Sequence, residues 1–283
     1  MLLFTCSLSS AQNSNPLKFV KGGTIQIGSN EYADIQPEFK ARIQSFWMQE
    51  HEVTNQEFAN FVEQTNYVTL AEKNGGSYVF DSKRKTDSLT LENAPWWYFS
   101  KTANWKNPYG KDTVIGNFME LPVVHISHQD ASCYCNWLGM RLPTEIEREY
   151  VGRKNGTSQN RNTWQGDFPS SNLLEDGFEL LAPVKSYDKG QLGLYDIQGN
   201  VWEWCMDPYH QNAYQYVRNW KVNSTQPLVP NYFDEFSPTE PTYVIVAVHF
   251  YALTIIAKDL KLQNVCDLLH RQTFQHIGFR CVK

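Results

Sequence analysis

Between Thr242 and Ile277 the sequence contains neither glycine nor proline, although 16 glycines and 13 prolines punctuate the 283-residue chain as a whole. Turn residues recur everywhere else, so this gap is a local break in composition. Long apolar runs are missing too. The stretch from Val244 to Ala257 is mostly apolar, but it contains His249 and is too short to cross a bilayer, so no membrane span is expected. Charge of one sign is also scarce: the net charge of -5 comes from interspersed acids and bases with no basic stripe, which excludes a phosphate-backbone footprint and makes nucleic acid an unexpected partner. Neither an internal repeat nor a linker is present, so a single domain is expected over residues 17–283, and no contact signature argues against a monomer.

The chain is 41% hydrophobic and 14% aromatic, with nine Trp, which suits a loop-rich fold whose rings fill space between few regular elements. Residues 1–11, MLLFTCSLSSA, form a short apolar run ending in small residues, and Ser9 and Ala11 precede a cleavage position ahead of Gln12. This reads as the remnant of a signal peptide, which implies a secreted or periplasmic, cell-envelope location; the alternative is an apolar terminus with no sorting role. Export permits disulfides. Once Cys6 is removed, Cys133, Cys135, Cys205, Cys266 and Cys281 remain, an odd number that leaves at least one thiol unpaired in a monomer.

Residues 19–29 alternate apolar and polar around Gly22 and Gly23, which predicts an opening hairpin. A strand and then a helix follow, with Thr54 as N-cap, Glu57 completing a capping box, and Phe58, Phe61 and Val62 on one apolar face. From Gly75 to Glu120 the sequence is polar, aromatic and turn-rich, and long loops are expected. A short strand is expected over Val123–Ile126, then a helix to Trp137 with Ser127 as N-cap and Asp130 in its first turn. Pro143 and Thr144 open another short helix. His125 and His128 hint at a metal pair, but no matching carboxylate accompanies them.

Residues 22–29, 46–62, 122–150, 162–169, 175–178, 182–187, 193–204 and 278–281 resemble, in order, the formylglycine-generating enzyme (sulfatase-modifying factor) family. The run NTWQGDFP followed by EDGF is similar to the branch that holds the true enzymes. The resemblance implies an α+β fold, a variant of the C-type lectin-like fold with little regular secondary structure. It further implies two structural calcium sites. Asn162, the Thr163 carbonyl, Asp176 and the Phe178 carbonyl match the first; Asp196, the carbonyls of Gly199 and Val201, and Glu203 match the second. Calcium takes six to eight oxygens from such groups, although clusters of this composition read by spacing alone are more often plain turns. Cys135 and Cys281 match the family's disulfide, and Trp96, Trp97, Asn104 and Trp105 match a substrate groove, where packing alone would use the same residues.

The activity implied by the resemblance is oxidation of a cysteine in an unfolded sulfatase polypeptide (Cys-x-Pro-x-Arg) to formylglycine, using oxygen and copper(I) held by two cysteines four residues apart, since soft thiolates select that metal. That pair belongs between Val244 and Gly278, where this chain has none, so no catalytic residue is assigned. A frame shift explains the gap. Inserting one cytosine before the Val246 codon allows the following codons to be regrouped as Arg-Gly-Gly-Ser-Phe-Leu-Cys and then, four residues on, a second Cys. Residues 246–271 are therefore expected to be an out-of-frame stretch. The alternative is a genuine strand over residues 244–251 followed by an amphipathic helix over 255–269. As it stands, the chain is expected to have lost the oxidase, and the competing reading is a non-catalytic cell-envelope binding or structural protein of the same fold. An iron-dependent sulfoxide synthase is disfavoured because no His-rich second domain is present.

Overall fold

The computed structural model describes residues 15–30, 35–91, 94–110, 115–156, 161–216, 224–231, 233, 242–246 and 273–283. The signal-peptide reading, Cys6, Cys266 and nearly all of the anomalous stretch at 246–271 lie outside the described residues, as do most of the alternative strand and all of the alternative helix. Short elements dominate. In chain order they are β1 (Leu17–Val20), β2 (Gly23–Ile27), β3 (Phe39–Ile43), β4 (Phe46–Gln49), α1 (Asn55–Thr65), α2 (Leu70–Lys73), β5 (Ser77–Phe80), β6 (Thr90–Leu91), β7 (Ala94–Ser100), α3 (His128–Trp137), α4 (Glu145–Lys154), β8 (Trp202–Pro208), α5 (Ala213–Tyr216), β9 (Tyr243–Val246) and β10 (Ile277–Gly278). No helix or strand occurs from Arg161 to Val201. This is an α+β fold with little regular structure, and among the described residues no helix is long and apolar enough to cross a membrane.

Local chemistry sets the helix starts. Thr54 with Glu57, Thr69 with Glu72, Ser127 with Asp130 and Thr144 with Glu147 all form complete capping boxes, each satisfying two backbone donors that a helix end leaves open. Asp130 does more than cap: its second oxygen accepts from Tyr67 Oη at 2.9 Å and from the Leu70 amide at 3.2 Å, so one carboxylate ties the starts of α2 and α3 together.

Strand pairing departs from the local reading in three places. The opening hairpin does not form: β1 pairs antiparallel with β4, and β2 with β3. Two-residue hairpin turns need positive φ, and neither Gly22 nor Gly23 has it. Gly22 is there for space, because a Cβ on it would stand 2.3 Å from the Ile43 carbonyl. Second, Val123–Ile126 is not a strand. The segment is buried and its amides pair singly, Val123 with the Val53 carbonyl and His125 with that of Phe274; the left-handed φ of 60° at His125 then breaks the extended run. Third, residues 75–120 are not all loop, because β5, β7 and β6 form a three-stranded sheet. Its strands are rich in aromatic residues, which favour the pleated surface.

The sheet that matters for function has β8 at its centre, with β10 parallel on one side and β9 antiparallel on the other. Glu203 is thereby flanked by Gly278 and Val246. One apolar core gathers Phe58, Phe61, Trp97, Trp105, Tyr134, Trp204 and Phe279 between α1, α3 and this sheet. A second gathers Ile27, Phe39, Met48, Ile146 and Tyr214 between β2, β3 and α4.

Candidate functional site

Alternation along β8 gives it two chemically different faces. Glu203, Cys205 and Asp207 are buried toward α4, whereas Trp202 and Trp204 meet rings on the other side. On the charged face Glu203 is fully buried between two guanidinium groups. Arg148 donates to it through Nε at 2.9 Å and Nη2 at 3.2 Å, and Arg280 through Nε at 3.0 Å and Nη2 at 2.8 Å. Burial alone would raise the Glu203 pKa, but Arg148 and Arg280 outweigh it and hold the carboxyl below its ordinary range. Arg280 also reaches the Tyr195 carbonyl at 3.1 Å and the Glu50 carbonyl at 3.4 Å.

A third buried carboxylate has no such partner. Glu52 is fully buried, neither of its oxygens meets a hydrogen-bond donor among the described residues, and its nearest cation, Arg280 Nη2, is 4.0 Å away. Burial, and next the charge of Asp196, push its pKa well up; burial raises that of Asp196 as well. The charge of the half-buried Asp196 acts on the buried Glu52, which favours a proton or a cation there. Nothing in the sequence marked Glu52, since it sits among the residues leading into α1 and only the fold brings it to Asp196.

The residues of the two oxygen clusters fall into two knots of the irregular 161–201 segment. In the first, Asp176 Oδ2 accepts from the Thr163 amide at 2.8 Å and Oδ1 from the Phe178 amide at 3.1 Å, while Asn162 Nδ2 donates to the Leu180 carbonyl at 2.6 Å. Thr163 and Phe178 thus meet around the Asp176 carboxylate, while Asn162 is tied to Leu180 and to Asn200. In the second, Asp196, Gly199 and Val201 share one loop, and Asp196 Oδ2 accepts from the Lys185 amide at 2.8 Å. Gly199 is required there: its φ is 114°, and a Cβ would stand 2.4 Å from the Asn162 carbonyl, so the two knots touch at this point. Glu203 is bridged to that loop by its two arginines, Arg148 reaching the Ile197 carbonyl at 2.8 Å and Arg280 the Tyr195 carbonyl at 3.1 Å. Among the described residues no group of three His, Cys, Asp or Glu side chains is placed to hold a metal, so a cation here would rely on backbone carbonyls alongside Asp196 and Glu52.

The aromatic face has a different character. Trp97 packs on Phe80, on Phe274 and on His276, whose ring centroid is 4.6 Å away, and His276 in turn meets Trp202 at 5.6 Å. Trp96 meets Phe168, which stacks on Phe80 and contacts Trp164. These rings form a continuous wall across β5, β7, β8 and the segment Phe274–His276. Of the candidate groove residues, Trp96 and Trp97 belong to this wall. Trp105 instead packs edge-on against Phe58 of α1, and Asn104 closes a tight turn with Asn107. Sequence reading missed Phe80, Trp164, Phe168, Trp202 and His276; their aromaticity was visible, but not their convergence. Among the described residues several buried polar atoms here meet no partner, among them Trp96 Nε1, Thr242 Oγ1, Gln275 Nε2 and His276 Nδ1.

His125 and His128 do not form a metal pair. His125 lies between Ser77 Oγ at 2.7 Å and the Pro108 carbonyl at 2.9 Å. His128 reaches the Cys205 carbonyl at 3.1 Å and stacks on Tyr243 at 3.5 Å. Burial lowers the pKa of each to about 4, and burial with the nearby His125 takes His276 to about 3. Cys135 and Cys281 are joined by a disulfide. Cys133 is a half-buried free thiol and Cys205 a buried one whose pKa is raised by burial and then by Asp207. Among the described residues the cysteines therefore do not fit a copper(I) site: one pair is oxidised and a buried, protonated thiol is a poor ligand.

The sulfatase-modifying factor enzyme 1-like domain family matches residues 7–283. A formylglycine-generating enzyme of Bos taurus is 39% identical over 228 residues, 71% of this chain and 60% of that protein. An inactive C-alpha-formylglycine-generating enzyme 2 of the same species is 36% identical over 222 residues, 71% of this chain and 73% of that protein. The chain thus spans about three-fifths of the length of the first of these relatives. Among solved structures, PvdO from Pseudomonas aeruginosa superposes with a TM-score of 0.54 at 16% identity, covering 94% of this chain and 93% of that one, which is a likeness of fold.

Proposed function

Because the chain belongs to the sulfatase-modifying factor family, we propose that it is a scaffold built to hold an extended, cysteine-bearing sulfatase segment against its aromatic wall, and that as it stands it cannot oxidise that cysteine. The observation that carries this is the wall itself: Trp96, Trp97, Trp202 and His276 are brought together by ring contacts with Phe168 and Phe274. Flat rings suit an unfolded peptide, whose side chains bury on them at small entropic cost to the wall. The orphaned donors, Trp96 Nε1 and Gln275 Nε2, suit peptide carbonyls.

Copper(I), when bound by two thiolates, would supply the oxygen-activating centre of the family's reaction. No such pair exists in this chain, so we derive no oxidation step for it. Residues 246–271 as a frame-shifted stretch remain our reading of why. Calcium fits better. Asn162, Thr163, Asp176 and Phe178 would hold one ion; Asp196, Gly199 and Val201 would hold the other, with Glu52 rather than Glu203 supplying its second carboxylate, because Glu203 is already neutralised by Arg148 and Arg280. Export to the cell envelope, where calcium and disulfides are both stable, belongs to the same reading.

The test compares two proteins, the chain as it stands and one in which the reading frame of residues 246–271 is restored. Each is given a Cys-x-Pro-x-Arg peptide, copper(I) and oxygen. Peptide binding by both, with aldehyde formation seen by mass spectrometry only for the restored chain, is the expected result. Aldehyde formation by the unaltered chain would overturn the reading. The second function, a non-catalytic binding protein of the same fold, is favoured by the likeness to a relative named inactive; it gains if the restored frame encodes no cysteine pair.

A further inference from the structure

Phe19 and Trp47 are left 52% and 46% exposed, and they stand side by side. They are direct partners in the β1–β4 ladder, with ring centroids 5.2 Å apart. Lys283 extends the row. Its amide donates to the Trp47 carbonyl at 2.8 Å and the Trp47 amide to its carbonyl at 2.9 Å, so the two residues lie opposite one another and their side chains leave on one face. Phe19, Trp47 and Lys283, all exposed, thus cross three adjacent segments. At the end of this row Gly22 lies against Ile43 and donates to Ser45 Oγ at 3.0 Å, which brings the exposed Lys21 and Arg42 alongside. Glu50 is the only side-chain acid in residues 17–27 and 39–50, and it is paired with Lys18 at 2.9 Å. A chain of net charge -5 therefore gathers exposed cations around its exposed ring pair.

Two half-exposed rings fall far short of the roughly 800 Å² per partner that a stable protein interface buries. A lipid surface makes no such demand: aromatic side chains settle at the headgroup level without a matching shape, and each Lys or Arg beside them is drawn to anionic headgroups. The sequence points the same way. The apolar residues 1–11 lead toward β1 and end eight residues before Phe19, a span of at most about 28 Å, so a membrane that received them would stand within reach of this face. We propose that the Phe19–Trp47 face, flanked by Lys21, Arg42 and Lys283, is a peripheral docking surface for an anionic lipid bilayer. It shares no residue with the aromatic wall around Trp97 and His276, so this proposal and the peptide reading stand or fall separately.

The experiment floats the full chain with vesicles of pure phosphatidylcholine or of an equal mixture of phosphatidylcholine and phosphatidylglycerol. Stronger partition into the mixed vesicles, weakened by added salt, is expected. Phe19→Thr together with Trp47→Thr should lower that partition about tenfold. Lys21→Gln together with Lys283→Gln should lower it about fivefold per lysine, on the mixed vesicles only. Because residues 1–11 can bind lipid unaided, each variant is read against the unaltered chain. Equal binding by the ring variant shows that those residues suffice and overturns the proposal. Equal partition into the two kinds of vesicle, or a lysine variant that binds like the unaltered chain, overturns it as well. The lysine variant, whose two positions are exposed, keeps the test decisive if melting shows that the ring variant folds poorly.

Discussion

The two faces of β8 bury comparable bulk by opposite means. On one, Glu203 is surrounded by donors from Arg148 and Arg280, and the geometry of each group is fixed by the others. On the other, Trp202, Trp204, His128 and His276 are held by ring contacts. A buried ion network tolerates no missing member, because removal leaves an uncompensated charge in low dielectric. An aromatic wall tolerates loose ends, since its energy is spread over area. The ion network supports the fold, and the aromatic face is the one the proposed peptide would meet.

The sharpest way to break this contrast is Arg280→Met. It strips Glu203 of one guanidinium and leaves Glu52 without its nearest cation, so a loss of about 3–5 kcal/mol in urea unfolding is expected. Trp204→Phe comes next: it removes the indole donor to the Ile126 carbonyl, 2.9 Å away, and some core volume, for a loss of about 2 kcal/mol by the same measurement.

Acid should act through the histidines. His125 and His128, with folded pKa values of about 4, and His276, at about 3, lie below the ordinary 6.5. The unfolded chain therefore binds more protons than the folded one between these values, so the stability present above pH 6.5 is lost as pH falls through 4. A melting temperature that stayed level between pH 7 and pH 4 would contradict it. Thr54→Ala should cost about 1 kcal/mol by removing a cap that belongs to neither face. The smallest effect expected is that of His276→Phe, within about 1 kcal/mol, because an apolar ring replaces one that left a nitrogen unpaired.

Helix starts were legible because their chemistry is local: Thr54, Ser127 and Thr144 meet their partners three residues on. Strand partners were not. The alternation of residues 19–29 was real, but β1 and β2 each found a later strand, and alternation says nothing about which. The aromatic content of residues 75–120 was equally plain, yet its reading as loop overlooked how well Tyr78, Phe80, Trp97 and Phe99 pair across β5 and β7.

By itself the sequence determined the family, the α+β class, the capped helices and the absence of a thiolate pair near the C-terminal end, since each of these is written in residue order and short spacing. Tertiary structure alone decided that Glu52 is buried within reach of the Asp196 charge, that Glu203 belongs to two arginines, and that Trp97, His276 and Trp202 make one wall. The reason is physical: a buried charge or an aromatic stack is defined by what surrounds it, and here the neighbours come from segments far apart along the chain.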